Sequence, residues 1–406
     1  MISKSLAKKE TKKTFSIDRK YGKEEIKEVI EAIESDDLFY ANGLKTKQFC
    51  EVVKKYFNAN YVATASSGTA AIHAAIASLE IEPGYEVIVP PITDIGSIIG
   101  LLYQNLIPIF ADVDPHTYNM TAETIEKQIT YRTRAIIVVH LAGNPCQMDE
   151  ILELSKKNNI PIVEDVAQSY NATYRGHKAG TLGTYGCFSM NAYKHISCGD
   201  GGFLISHNEN DYIRSHNYLD KFYDRHQTGV RLEALAPCYR ISELQSAVGI
   251  AQMGKLTGIT EKRNYLGDLL TSQIESIDCL TPHKVEEGNE CTYWFYMMRI
   301  KPEEITCTRN EFCKALSEEG VPASSGYIPQ VIYLEKLFTE KNFFPGNVWP
   351  AEIISQKKIT YEKGLCPIAE EVLETAINFP IKESFTKEDI ELISSAVYKV
   401  AKRFQK

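Results

Sequence analysis

The chain has no block of basic residues, no apolar run long enough to cross a membrane and no Cys-x-x-Cys pair. Each absence removes a class of function. With 45 Lys and Arg against 53 Asp and Glu, the net charge is −8. An acidic chain without a basic stripe is a poor candidate for nonspecific nucleic-acid binding, although a few local donors can still hold a small anion. No apolar stretch reaches the roughly 20 residues a membrane helix needs. The ten cysteines are scattered from Cys50 to Cys366, several inside apolar runs. That usage predicts reduced, mostly buried thiols and a cytoplasmic protein. The nine histidines show no His-x-x-x-His spacing and no Cys/His cluster, so no metal site is expected. Also missing are a G-x-S-x-G nucleophile elbow and the G-x-G-x-x-G turn of a dinucleotide fold. There is no internal repeat and no low-complexity tract. The start of the chain, residues 1–23, is polar and Lys-rich and does not read as a signal peptide.

What is present is a chain of 406 residues, 44% hydrophobic, enough for a sizeable core and two domains. Residues 1–20 read as a loose charged arm. Tyr21 to Ile33 has the spacing of an amphipathic helix, with Ile26, Val29, Ile30 and Ile33 on one stripe. Thr46 is placed to cap a second helix bearing Phe49, Val52, Val53 and Phe57. Short apolar strands then alternate with helices. Strands are expected at 61–65, 87–89, 107–110, 135–139, 160–163, 187–190 and 202–205, with helices at 70–79, 95–103, 122–129 and 148–158. Pro108 assigns its strand to a margin. This rhythm predicts an α/β fold: an open, largely parallel sheet covered on both faces. Residues 221–237 are polar and irregular, an active-site or interface loop. A helical tract follows over 241–276, with a break expected near Leu256–Thr260. We divide the chain into a large domain, 21–276, and a smaller α+β domain, 277–406, whose last helix starts at a capping box from Thr386 to Asp389.

Three polar insertions at strand ends carry the chemistry. Lys194 follows an apolar strand and precedes Gly199, Gly201 and Gly202, which permit close backbone approach. Asp165 stands at the carboxyl end of a strand, where open α/β sheets place ligands. The pair Glu164–Asp165 is an odd way to end a buried strand, and one of the two is expected to face a ligand and the other the structure. A helix cap for the residues from Val166 is the other reading of this pair. Ser66–Ser67–Gly68–Thr69 offers hydroxyls and free N–H groups at a helix start, either an anion nest or an ordinary N-cap. Ser189, just before the lysine, adds a hydroxyl. An amine, a carboxylate and an anion nest together suit pyridoxal 5'-phosphate, which needs a Schiff-base lysine, a partner for its pyridine nitrogen and donors for its phosphate.

The chain resembles the DegT/DnrJ/EryC1/StrS family of sugar aminotransferases. Ser66–His73, Gly84–Pro90, Ala111–Pro115, Glu164–Ser169, Gly186–Ser189, Tyr193–Gly202 and Tyr239–Gln245 carry the resemblance. It implies a fold-type I pyridoxal phosphate enzyme with a central, mostly parallel sheet of the seven-stranded type. It implies that Lys194 is the Schiff-base lysine, Asp165 the pyridine-nitrogen partner, Gln168 a neighbour of the ring hydroxyl and Ala167 a packing group on one ring face. Gly68, Thr69 and Ser189 would bind phosphate. Some relatives carry histidine in place of the lysine and act as dehydratases; lysine here implies transamination. Two positions depart from the pattern. Asp94 occupies the place of an aromatic residue that stacks on the ring, and Cys238 that of an asparagine reaching the neighbouring subunit's phosphate. The implied activity is ping-pong transfer of an amino group from glutamate or glutamine to a keto sugar, nucleotide-linked, in a homodimer with shared sites. The alternatives are an aminotransferase for a cyclitol or other cyclic ketone, a related dehydratase, and a non-catalytic cofactor-binding regulator. The segments 221–237 and 327–336 are expected to read substrate.

Overall fold

The computed structural model describes residues 20–225 and 232–406. The arm before Lys20 and the middle of the 221–237 loop lie outside the described residues. In chain order the elements are α1 (Lys23–Glu34), α2 (Leu44–Phe57), β1 (Tyr61–Ala65), α3 (Gly68–Ser78), β2 (Glu86–Val89), α4 (Ile99–Tyr103), β3 (Ile107–Phe110), α5 (Ala122–Glu126), β4 (Thr133–Val139), α6 (Met148–Asn158), β5 (Ile162–Asp165), β6 (Thr173–Tyr174), β7 (His177–Lys178), β8 (Tyr185–Ser189), β9 (Gly202–Ser206) and α7 (Glu209–Leu219). The long α8 (Glu243–Ile274) leads to β10 (Leu280–Thr281), β11 (Asn289–Glu290), β12 (Phe295–Ile300), α9 (Arg309–Glu318), β13 (Ser324–Ser325), α10 (Lys336–Thr339), α11 (Pro350–Ser355), α12 (Pro367–Thr375), β14 (Ala376–Pro380) and α13 (Lys387–Phe404).

Seven strands form one sheet in the order β1-β9-β8-β5-β4-β2-β3. The pairs from β8 through β3 are parallel, and β9 alone runs against its neighbours β1 and β8. The carboxyl ends of β1, β2, β4, β5 and β8 therefore share one edge with the start of β9. A sheet covered on both faces needs strands that are apolar throughout. Accordingly β2, β5, β8 and β9 are buried at every position. β3, which carries Pro108, is the margin strand, where a missing N–H costs no ladder bond. On one face lies α3, whose buried Ala70, Ala71, Ala74 and Ala75 let the helix sit close to the strands. A second, antiparallel sheet, β10-β12-β14-β13, packs on α8, α9 and α13 through a core containing Leu266, Leu270, Tyr296, Met298, Phe312, Ile390 and Val397.

Four expectations are corrected. The Ile26, Ile30 and Ile33 stripe of α1 is exposed. The helix instead turns Glu25 and Ala32 inward against α8, where Glu25 accepts hydrogen bonds from Gln252 and Lys255. Thr46 is not the cap of α2. The helix begins two residues earlier because the Glu243 carboxylate accepts the N–H groups of Lys45 (2.7 Å) and Thr46 (2.9 Å). The 95–103 helix is split into a 3-10 turn at Ile95–Ser97 and α4. Last, α8 runs unbroken for 32 residues. A Cβ at Gly258 would meet nothing within 4 Å, and the Thr260 hydroxyl folds back onto the Leu256 carbonyl, so these residues are tolerated inside a helix packed along its length.

Glu164 and Asp165 divide as neighbours on a strand must, one to each face. The Glu164 carboxylate accepts the N–H groups of Gly180 (2.7 Å) and Leu182 (2.8 Å) and the Nε2–H of His140 (2.9 Å). Burial works against its charge, but His140 and the backbone donors hold its pKa below the ordinary value. Glu164 thus pins the loop before β8, and Asp165 is left for the opposite side.

Candidate active site

At the shared carboxyl edge the structure opens a cleft of about 540 Å³. Ser67, Gly68 and Thr69 line it from the turn after β1, and Asp94 and Ser97 from the turn after β2. Asp165 closes β5, with Ala167 and Gln168 just beyond. Ser189 closes β8, and Lys194 sits in the loop to β9. From beyond α8 come Trp294 and Tyr327.

The start of α3 is an anion site made by close approach. Ser67 caps the helix, its Oγ accepting the Ala70 N–H at 3.0 Å. The first-turn N–H groups of Gly68 and Thr69 have no intrahelical acceptor and point outward. A Cβ on Gly68 would lie 2.5 Å from Cβ of Ser189, so glycine alone lets the helix start rest on β8 beside the Ser189 hydroxyl. Gly202 serves the same end, since its Cβ would lie 2.4 Å from the Ser67 carbonyl.

Asp165 is 5% exposed. Its Oδ2 accepts the Ser97 hydroxyl at 2.6 Å and its Oδ1 the Ala167 N–H at 2.9 Å. Burial pushes its pKa up, against the pull of Ser97, Ala167 and Lys194, and the nearby Asp94 adds to the upward push. A buried carboxyl held this way gains from a cation placed against it. Lys194 has its pKa lowered by burial, partly offset by Asp165 and Asp94. Its Nζ lies 4.0 Å from the centroid of the Trp294 ring. The Gln168 amide is committed on both sides: Oε1 accepts the Ala142 N–H at 2.9 Å and Nε2 donates to the Tyr327 hydroxyl at 3.1 Å. Asp94 caps the 3-10 turn, accepting the Gly96 N–H at 2.8 Å, and is otherwise exposed to the cleft.

Eight of the nine residues singled out from the sequence, namely Gly68, Thr69, Asp94, Asp165, Ala167, Gln168, Ser189 and Lys194, line this one cleft. Cys238 does not. It is exposed and pairs with Asp220 through an isolated bridge at the base of the 221–237 loop. No described residue of that loop reaches the cleft, whereas Tyr327 of the 327–336 segment does. Sequence reasoning missed Ser97 and Trp294. Ser97 could have been found as the hydroxyl three residues past Asp94. Trp294 is a hundred residues from Lys194 and carried no local signal.

The donor set fits pyridoxal phosphate: neutral donors at a helix start for the phosphate, a buried carboxyl for a pyridinium and an amine between them. Residues 19–398 match the profile of the DegT/DnrJ/EryC1/StrS aminotransferase family, and the chain belongs to it. It is a pyridoxal-phosphate-dependent aminotransferase of the fold-type I α/β class. The GDP-perosamine synthase of Escherichia coli O157:H7 is 30% identical over 338 residues, 83% of this chain and 85% of that one. The spore coat polysaccharide biosynthesis protein SpsC of Bacillus subtilis (strain 168) is 27% identical over 390 residues, 94% of this chain and 95% of that one. Among solved structures, the aminotransferase from Psychrobacter cryohalolentis superposes with a TM-score of 0.86 at 26% identity, covering 96% of this chain and 99% of that one.

The raised pKa of Asp165 has a sign that can be tested. The cofactor-free folded protein binds the Asp165 proton more tightly than the unfolded chain, so stability falls as pH rises from 3.8 through the folded pKa. Asp165→Asn cannot ionise. Without cofactor it should unfold at higher urea than wild type at pH 7, with the difference vanishing below pH 3.8. With cofactor loaded, wild type should regain the advantage. A lower midpoint for the cofactor-free variant at pH 7 would contradict this picture of the site.

Proposed function

We propose that the enzyme moves the amino group of glutamate or glutamine to the carbonyl of a keto sugar carried on a nucleotide, in two half-reactions that use one cleft in turn. The observation that carries this reading is the convergence of Lys194, Asp165 and the start of α3 at one sheet edge. The name of the GDP-perosamine synthase relative supports the sugar and the nucleotide.

Pyridoxal phosphate, when bound, supplies the electron sink and the amino-group carrier. The residues supply position and protons. N–H groups of Gly68 and Thr69 and the Ser189 hydroxyl hold the phosphate. The Asp165 carboxylate keeps a proton on the pyridine nitrogen, and Ser97 and Ala167 fix its two oxygens. Ala167 packs against one ring face, and Gln168 lies by the ring hydroxyl. Lys194 Nζ holds the cofactor at rest. Once displaced by the donor's amine, it takes the proton from the donor's α-carbon, and its burial favours the neutral amine that this requires. Asp94 adds a second carboxylate to the cleft, available to a polar group of the substrate.

The same reading places the division between domains at residues 276 and 277, so that Trp294 and Tyr327 face Lys194 from the smaller part. It also makes the working form a cytoplasmic homodimer. The exposed Ile26 (60%) and Ile33 (56%) of α1 offer an apolar face. Lys194 is the one cation among the described residues of the cleft, which leaves a bound phosphate short of positive charge unless a neighbour, through the Cys238 segment, supplies it.

Lys194→Ala should bring turnover to background with every keto sugar that wild type accepts; normal turnover without added amines would sink the assignment. By sedimentation the loaded enzyme should be a dimer. A monomer with full cofactor occupancy would count against shared sites.

A further inference from the structure

The contact between Lys194 and Trp294 has no part in the roles assigned above. Lys194 Nζ sits over the indole face at 4.0 Å. Among the described residues, that amine makes no ion pair and no hydrogen bond. The indole is held from several sides. Its Nε1–H donates to the Tyr193 carbonyl at 2.8 Å, its backbone N–H to the Ala142 carbonyl at 2.9 Å, and its carbonyl accepts Arg263 Nη1 at 3.4 Å. The ring edge meets Tyr327, with centroids 5.7 Å apart. Trp294 directly precedes β12, so the face offered to the lysine is set by the second sheet and α8, while its N–H grips the backbone of the residue before Lys194.

We propose that Trp294 is a positioning residue for Lys194, its indole face being the seat that the free amine occupies whenever the amine is not joined to the cofactor. The inference rests on Lys194 being the reacting amine. An aromatic face attracts an ammonium through its quadrupole, and tryptophan does so best. A seat of this kind keeps a long, four-carbon side chain within reach of the carbon it must deprotonate. It also favours the amine's protonated form between its two proton transfers. Other groups that act on the amine are Asp165 and Asp94, which hold its charge, and His195, the next residue, a ring kept neutral by burial. Asp200 and the Tyr327 hydroxyl share the cleft, Lys20 Nζ donates to the Lys194 carbonyl, and Arg263 donates to the Trp294 carbonyl.

The test loads the enzyme with pyridoxamine phosphate, which leaves Lys194 free. Trace labelling with acetic anhydride is then followed against pH, and the Lys194 peptide is quantified by mass spectrometry. Trp294→Leu should lower the labelling midpoint by about one pH unit, and Trp294→Phe by less in the same direction. A ring that merely fills space predicts the opposite, because its loss admits water and raises the midpoint. An equal or higher midpoint in Trp294→Leu overturns the proposal. Should that variant fail to fold, an unshifted Trp294→Phe does the same. If wild type takes up no pyridoxamine phosphate, the cofactor reading of the cleft falls first and the seat with it.

Discussion

A carboxyl group buried at the end of a parallel strand is the constraint on which this site depends. Asp165 has little access to water, so its charge must be met by donors and finally by a cation. Ser97 and Ala167 provide the donors. Ser97 is in place because Asp94 caps the turn that presents it, and Gly96 lets that turn press against Thr69, where a Cβ would lie 2.5 Å from the Thr69 hydroxyl oxygen. One buried acid therefore ties the turn after β2 to the helix start after β1. Asp94 has a structural meaning: the aspartate builds the turn that presents Ser97 to the acid.

The sheet topology explains why these groups meet. Parallel strands deliver their carboxyl ends to one edge, and the reversed β9 starts at that same edge, with Ser189 paired to Gly202, so the loop from β8 to β9 stays at the cleft. Lys194 is in this loop. Lys20 Nζ donates to the carbonyls of Ala192 (2.9 Å) and Lys194 (2.6 Å), and the Tyr21 hydroxyl to Ser197 Oγ at 3.1 Å. Gln252 of α8 accepts the Ser197 N–H at 3.1 Å. The amine is thus placed by the residues before α1, by α8 and by Trp294, none of which is near it in sequence.

Much of the frame was legible because apolar periodicity and strand-end punctuation are local signals. The seven central strands, α6 and the capping box at Thr386 follow from spacing alone. Lys194, Asp165 and Gly68–Thr69 were visible because a polar group at a strand end is costly without a purpose. The failures share a cause, which is a partner distant in sequence. Thr46 reads as a cap until Glu243 takes the N–H groups of the residues around it. Ile26, Ile30 and Ile33 read as one apolar stripe, yet it is Glu25 that meets α8, through Gln252 and Lys255. Gly258 reads as a break until packing along α8 carries the helix through it. Trp294 could be assigned to the site only once the chain had folded it over Lys194.

The question that matters most for this cleft is whether Lys194 and Asp165 hold a working cofactor with Asp94 beside them. The visible absorption spectrum of the purified protein with pyridoxal phosphate, before and after glutamate, tests this most directly. The expected result is the band of lysine-bound cofactor, its replacement by the band of the aminated form on adding glutamate, and its return with a keto sugar. A protein that stays colourless with pyridoxal phosphate added would contradict it.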